Sequence, residues 1–485
     1  MDKNYKFDTK VQHLKYKVLR EIARNAFNGT LAENFADIPK VIVPKGEATM
    51  RCCIYKERAI VIERMKVAMG GDKENPNVIE VLDIACDECP MSGYEVTTSC
   101  RGCIAKRCFD ACPVGAITYD ENHHAKIDKS KCINCGRCAN ACQYSAIRNN
   151  IRPCQQACKV GAITTNRETK AAAINNDKCI SCGACVYSCP WGAIMDKSYI
   201  LDVIEMIKQA KENGTKLYAI VAPSIASQFS YAKLGQVVSA IKELGFTDVR
   251  EVALGADMVA LKEGAELVEK GKLTSSCCPA FVSYIEKSFP DLLPYVSHNL
   301  SPMGELGRYL KEKDPNCKVV FIGPCTAKKA EIKKDKVKPY IDSVMTFEEL
   351  QALIDAKEIN VTALEEDELN DASFYGRIFA HSGGLTGAVG KSLKEQNLDF
   401  EVMPATCSGI LECKAALLKL SKGVLKENFI EGMACDGGCV QGAGCLVRSP
   451  RNRMDVEGHA KQITSPMPLK TQDLNKAIIY TFALK

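Results

Sequence analysis

The feature that most restricts this chain is a cysteine spacing written four times. "CINCGRCANAC" (Cys132, Cys135, Cys138, Cys142) and "CISCGACVYSC" (Cys179, Cys182, Cys185, Cys189) both read C-x2-C-x2-C-x3-C. "CRGCIAKRCFDACP" stretches this to C-x2-C-x4-C-x3-C-P (Cys100, Cys103, Cys108, Cys112), and "PCQQACKVGAI" keeps the last two positions, Cys154 and Cys158. In every copy the final cysteine is followed three residues later by a small residue and then Ala-Ile, starting at Gly115, Ser145, Gly161 and Gly192. Three thiolates from one tight loop can cap three irons of a 4Fe–4S cube, with the fourth cysteine turned toward a second cube. Zinc also accepts four thiolates, but tandem copies with a shared Ala-Ile tail favour iron–sulfur.

The 27 cysteines are unevenly placed: 18 lie between Cys52 and Cys189 and nine between Cys277 and Cys445, which puts the main domain boundary near residues 195 to 215. The front copies resemble two ferredoxin-type modules in tandem, residues 86–150 and 151–200. That resemblance implies crossed ligation. Cys100, Cys103, Cys108 and Cys142 would hold one cube; Cys112, Cys132, Cys135 and Cys138 a second; Cys158, Cys179, Cys182 and Cys185 a third. Cys154 and Cys189 are then left needing two more ligands, and Cys86 and Cys89 of "CDECP" are the candidates for a fourth cluster. Zinc, or no metal at all, is the alternative at Cys86 and Cys89. His123 and His124 read as solvated turn residues and Trp191 as packing. Cys52, Cys53, Cys317, Cys407, Cys413 and Cys445 receive no role, and residues 1–85 form an N-terminal region of unclear role.

A formal charge of +5 over 485 residues argues against a nucleic-acid binder. No apolar run approaches the roughly 20 residues that span a bilayer. The charged N-terminus lacks the apolar centre of a secretory signal, so the cytoplasm is the expected compartment.

From about residue 215 the pattern changes. "KLYAIVAPSIASQF" is a strand-like apolar run stopped at Pro223, and "YAKLGQVVSAIKELGF" follows with apolar residues at helical spacing. "KVVFIGPC", "GRIFAHSGG" and "FEVMPATCSG" read as further short strands ending in Pro, Gly or Cys. Strands alternating with helices, with chemistry-bearing residues at the strand ends, predict an α/β architecture. Three loops there carry cysteines: "TSSCCPAF" (Cys277, Cys278), "GPCTAKKAE" (Cys325, Lys328, Lys329, Glu331) and "EGMACDGGCVQGAGC" (Cys435, Cys439, Cys445). One cysteine from the first loop, one from the second and two from the third make a four-thiolate set. Adjacent side chains in an extended loop point in different directions, so Cys277 and Cys278 are not expected to ligate the same cube, and one of them is free for other work.

These three motifs, in this order, resemble the signatures of the FeFe hydrogenases over residues 215–485, in particular the divergent group B. The resemblance implies a two-lobed α/β catalytic domain in which Cys278, Cys325, Cys435 and Cys439 hold a 4Fe–4S cube. Cys439 would bridge it to a two-iron unit carrying CO, cyanide and an azadithiolate. Cys277 would be the free thiol that exchanges protons beside that unit, relayed through Glu263, Glu266 and Ser297. Lys328 would donate to the anionic cofactor, Lys329 would lie at the surface, and Glu331 would pair with a lysine. The implied reaction is reversible H2 oxidation and proton reduction, with three to four accessory 4Fe–4S clusters, a ferredoxin-like electron carrier and dedicated maturation proteins. The sequence departs from the family at Phe281, Gly323 and Cys445, where tryptophan, methionine and glutamine are usual. The alternatives are a non-catalytic iron–sulfur assembly protein and an H2 sensor.

Overall fold

Continuous apolar runs in the second half suit strands covered on both faces, and they form two parallel sheets in the computed structural model, which describes residues 7–46, 48–166 and 168–462. The first sheet runs Asp248–Glu251, Leu217–Val221, Lys318–Gly323, Ser343–Thr346, all parallel. The second runs Leu273–Thr274, Phe429–Met433, Pro404–Ser408, also parallel. These are the two lobes of the expected α/β part. All three cysteine loops leave the C-terminal ends of their strands: Cys277 and Cys278 follow Thr274, Cys325 follows Gly323, and Cys435 follows Met433. The site is therefore assembled between sheets, where strand ends of parallel folds present their loops.

The expected helix after Pro223 spans Leu234–Leu244 and buries Val237, Val238, Ile241 and Leu244. "GRIFAHSGG" is not a strand. Ser373 caps a short helix, Phe374–Ile378, by accepting from the Gly376 N–H, and this local bond outweighs the weak strand preference of the run.

The front half is built from antiparallel pairs: Ile117–Tyr119 with Ala125–Ile127, and Ile163–Thr165 with Ala172–Ile174. The residue that opens each tail has left-handed backbone, with φ of 60° at Gly115, 49° at Ser145, 64° at Gly161 and 57° at Gly192. That conformation explains the small residue in every copy. It also aims the next backbone N–H at the cysteine: Ala116, Ala162 and Ala193 donate to the sulfurs of Cys112, Cys158 and Cys189 at 3.2, 3.2 and 3.3 Å.

The N-terminal region joins the first lobe. Thr9 caps the helix Lys10–Asn28, which buries Leu14, Val18, Leu19 and Ile22. Val18, Leu19 and Ile22 share one apolar core with Val203 and Ile204 of the helix Ile200–Asn213 and with the first sheet. Inside this joint lies a buried charge network. Lys15 pairs with Asp196 and Glu348, each at 2.6 Å, and Lys329 pairs with Asp196 and Glu349, each at 2.7 Å. Burial alone would raise the Asp196 carboxyl, but Lys15 and Lys329 outweigh it and hold Asp196 well below the usual range. Lys329 is thus not at the surface. Its helix, Ala327–Glu331, is wedged between the lobe and the front modules, so Lys328 and Lys329, about 100° apart around the axis, both point into protein. Removing one partner of such a network leaves buried charge uncompensated. Lys329→Ala should lower folding stability by about 3–5 kcal/mol, read as the loss in an anaerobic denaturant titration.

Candidate functional site

Cys278 occupies the N-cap of the helix Pro279–Ser288 in extended backbone, with Pro279 fixing the first turn. The pair separates as adjacent extended residues should. Cys278 packs with Cys182, Cys325 and Phe281 in one apolar cluster, whereas Cys277 packs with Ala256, Ala260 and Leu385 in another. Cys277, Cys278, Cys325, Cys435 and Cys439 line one cavity together with Lys328 and Cys182. Gly438 and Gly442 allow the third loop to close on this space. A Cβ at Gly442 would lie 2.4 Å from the Pro324 carbonyl, and one at Gly438 2.8 Å from the His381 backbone.

Thiols distant in the chain lie close enough to act on one another. Burial pushes Cys435 well up, and Cys325, Cys278 and Cys439 add to it. Burial and then Cys278 raise Cys325 to about 11. In the front modules Cys108 is raised by burial and by Cys142 and Cys103, and Cys138 by burial and by Cys132 and Cys112. Burial raises Cys182 to about 12, with Cys179, Cys158 and Cys278 adding. Among the described residues no three His, Cys, Asp or Glu side chains close on a point that one ion would fill. Thiols contributed in fours are the donor set that a 4Fe–4S cube takes.

Lys328 is buried at the cavity wall, 2.8 Å from the Ser301 hydroxyl and 2.6 Å from the Glu331 carboxylate. Glu331 is the structural partner that was expected. Of the departures, Phe281 is fully buried against Gly432, and Gly323 leaves room taken by the ring of Phe321, which lines the cavity. Cys445 is buried, and its carbonyl accepts from Gln12 of the N-terminal helix at 2.6 Å.

Glu263 and Glu266 share one face of the helix Val252–Lys270. Glu263 is fully buried and its Oε1 accepts from the backbone N–H (2.9 Å) and hydroxyl (3.0 Å) of Ser276. Its Oε2 has no partner among the described residues. Burial raises this carboxyl to about 7, against the lowering by Ser276. The Ser297 hydroxyl donates to Glu266 at 2.7 Å. Glu266 also contacts the rings and chains that lead outward: Lys270 and His298 Nδ1 each stand 2.8 Å from its Oε1. Burial opposes these partners, yet Lys270, His298 and Ser297 hold Glu266 below its ordinary value. The sequence reading missed Ser276 and His298. The hydroxyl beside the cysteine pair was the available signal for the first, and nothing marked the second.

The family profile described as iron only hydrogenase large subunit, C-terminal domain, matches residues 215–443. Profiles for a 4Fe-4S dicluster domain and a 4Fe-4S binding domain match residues 99–146 and 172–195. Iron hydrogenase 1 of Clostridium pasteurianum is 31% identical over 390 residues, 68% of this chain and 66% of that protein. The periplasmic Fe hydrogenase large subunit of Nitratidesulfovibrio vulgaris is 30% identical over 383 residues, 67% of this chain and 87% of that protein. The cytosolic Fe-S cluster assembly factor NAR1 of Eremothecium gossypii is 26% identical over 324 residues, 51% of this chain and 72% of that protein. Among the described residues no helix is long and apolar enough to cross a membrane.

Glu263 carries a testable pH signature. Its folded carboxyl keeps a proton up to about 7, against an ordinary value of 4.5, so stability contributed by the neutral form falls as pH rises through that window. A carboxylic-acid infrared band titrating near pH 7 is expected, and Glu263→Gln should remove both the band and that part of the pH slope in denaturation.

Proposed function

This chain belongs to the iron-only hydrogenase family, with a two-lobed α/β domain behind ferredoxin-like 4Fe–4S domains, and from that premise we propose that it catalyses reversible H2 oxidation and proton reduction. The observation that carries the reading is the divergence of the adjacent cysteines. Cys278 lies among the thiols of the candidate cube, and Cys277 lines the same cavity from a different apolar cluster, with Glu263 acting on it.

On this reading Cys278, Cys325, Cys435 and Cys439 hold the active-site cube, and Cys439 also reaches the two-iron unit with its CO, cyanide and azadithiolate. When bound, that cofactor would supply the chemistry of H2 cleavage and formation. The chain's own part is to hold it, keep water out and move protons. The cavity wall is largely apolar, and Lys328 places a buried cation toward an anionic group. Cys277 exchanges the proton at its sulfur. Glu263, poised near neutrality, can both accept and release that proton. Ser297 and Glu266 continue the route to His298 and Lys270 at the surface.

Electrons travel the other way out. Cys182 of the third accessory set borders the cavity beside Cys278, while Cys103 and Cys135 of the first module are exposed. A soluble carrier such as a ferredoxin would dock at that exposed end, and maturation proteins would install the two-iron unit in the cytoplasm.

The second reading, an iron–sulfur assembly factor, is favoured by the similarity to NAR1 proteins. The deciding experiment is an infrared spectrum of protein matured anaerobically alongside a control hydrogenase. Sharp CO and cyanide bands support the hydrogenase reading; their absence, with the clusters intact and the control loaded, supports the assembly factor. Cys277→Ala should keep those bands and lose about 10²–10⁴-fold in H2 evolution, whereas Cys439→Ala should lose the bands themselves. Full turnover in Cys277→Ala would remove the proton assignment.

A further inference from the structure

The second ferredoxin-like module lacks the first half of its motif: Cys154 and Cys158 are present, but no C-x2-C pair precedes them nearby. In the first module that pair is Cys100 and Cys103, and the Ala125 N–H donates to the Cys100 sulfur at 3.5 Å. Ala172 opens the second strand of its own hairpin as Ala125 does in the first. Its N–H donates at 3.4 Å to Cys86, a residue from ahead of both modules. Residues 86–89 therefore take, in the second module, the place of residues 100–103 in the first.

Independent ties hold them there. Ile79–Val81 pairs antiparallel with Ile194–Asp196, just beyond Cys189, and the Leu82 N–H donates to the Ala193 carbonyl at 2.7 Å. Arg152, two residues before Cys154, donates to the Pro90 carbonyl at 2.9 Å, the Cys89 carbonyl at 3.2 Å and the Cys86 sulfur at 3.6 Å. Cys86, Cys154 and Cys189 lie in one buried cluster.

The charges point the same way. Arg152 and Arg64 are both buried, and among the described residues neither has a carboxylate partner. Arg64 has only the carbonyls of Trp191 and Gly192, at 2.9 and 3.4 Å. A buried cation without a counter-charge is strongly unfavourable, and a 4Fe–4S cube with four thiolates is an anion.

We propose that Cys86, Cys89, Cys154 and Cys189 hold a further accessory 4Fe–4S cluster whose buried counter-charges are Arg64 and Arg152. Cys86, Cys154 and Cys189 share that buried cluster, and Arg152 reaches both the Cys86 sulfur and the Cys89 carbonyl. Cys185 of the neighbouring set lies in the same buried cluster, so this cluster adjoins the relay. Two adjacent cations favour the reduced, more negative cube. It takes one electron from a neighbouring cube, leaving that cube oxidised by one, and returns it by the reverse step.

The test needs the front clusters alone, so its failure and a failure of the hydrogenase reading are separate outcomes. In protein reconstituted with iron and sulfide, iron analysis and Mössbauer spectra should count one cube more than the other cysteine sets account for. The double variant Cys86→Ser/Cys154→Ser should lose about four irons per chain and one component of the redox titration followed by electron paramagnetic resonance. Arg64→Gln and Arg152→Gln, which keep every sulfur, should move that same component to more negative potential and leave the others in place. No extra cube in the parent protein, or unchanged iron in the double variant, overturns the cluster. A component indifferent to both arginine variants overturns the counter-charge assignment.

Discussion

The structure turns on the enforced company of thiols. Cysteines far apart in the chain are brought together, and at buried members such as Cys435, Cys182 and Cys138 the neighbouring thiols add to burial in raising proton affinity. A fold does not gather such groups for stability, since repulsion and desolvation both oppose it. The opposition disappears once the sulfurs are thiolates on a cationic iron core, and cluster binding then becomes part of the folding free energy. The short hairpins of the front half, too small to be stable alone, follow from this: the clusters supply the core that their side chains do not.

Around each set the backbone does the orienting. The left-handed residue three places after a cysteine turns the next N–H onto that cysteine's sulfur in three of the four copies. Such bonds stabilise negative charge on sulfur and tune cluster potential. In the second half the orientation comes instead from strand ends of two separate sheets, so the position of one lobe against the other fixes the cavity. The buried network of Lys15, Asp196, Lys329, Glu348 and Glu349 spans the N-terminal helix, the last strand of the front half and the first lobe. It occupies the joint on which that alignment depends.

Much of this was legible in the sequence because local rules governed it. The cysteine repeats, the strand–loop–helix alternation and the i, i+3 placement of Glu263 and Glu266 are short-range patterns. What was not legible depended on partners far along the chain. Lys329 reads as a surface lysine until Asp196 and Glu349 are brought to it. "GRIFAHSGG" has the composition of a strand, and only the Ser373 cap decides otherwise. Residues 1–85 carried no motif, yet their helix reaches the carbonyl of Cys445 through Gln12. His298 became visible only when a loop laid it beside Glu266.

The adjacent cysteines show how little backbone is needed to separate two kinds of traffic. Between Cys277 and Cys278 there is one residue step, about 3.3 Å of extended chain, and the two side chains enter different apolar clusters. Beyond Cys278 stands Cys182, the thiol of an accessory set; beyond Cys277 stand Glu263, Ser297 and Glu266. On the proposed reading electrons and protons meet at one cavity and leave it through opposite walls. A shared wall would place a carboxylate relay next to the cluster sulfurs, and each proton passed would then shift the cluster's potential. Adjacent placement with opposite orientation keeps both groups within reach of the cofactor while the helix Val252–Lys270 carries the ionisable groups away from the iron–sulfur sets. On the proposed reading the tandem pair couples two carriers at one point, and a single cysteine at either position would supply only one of them.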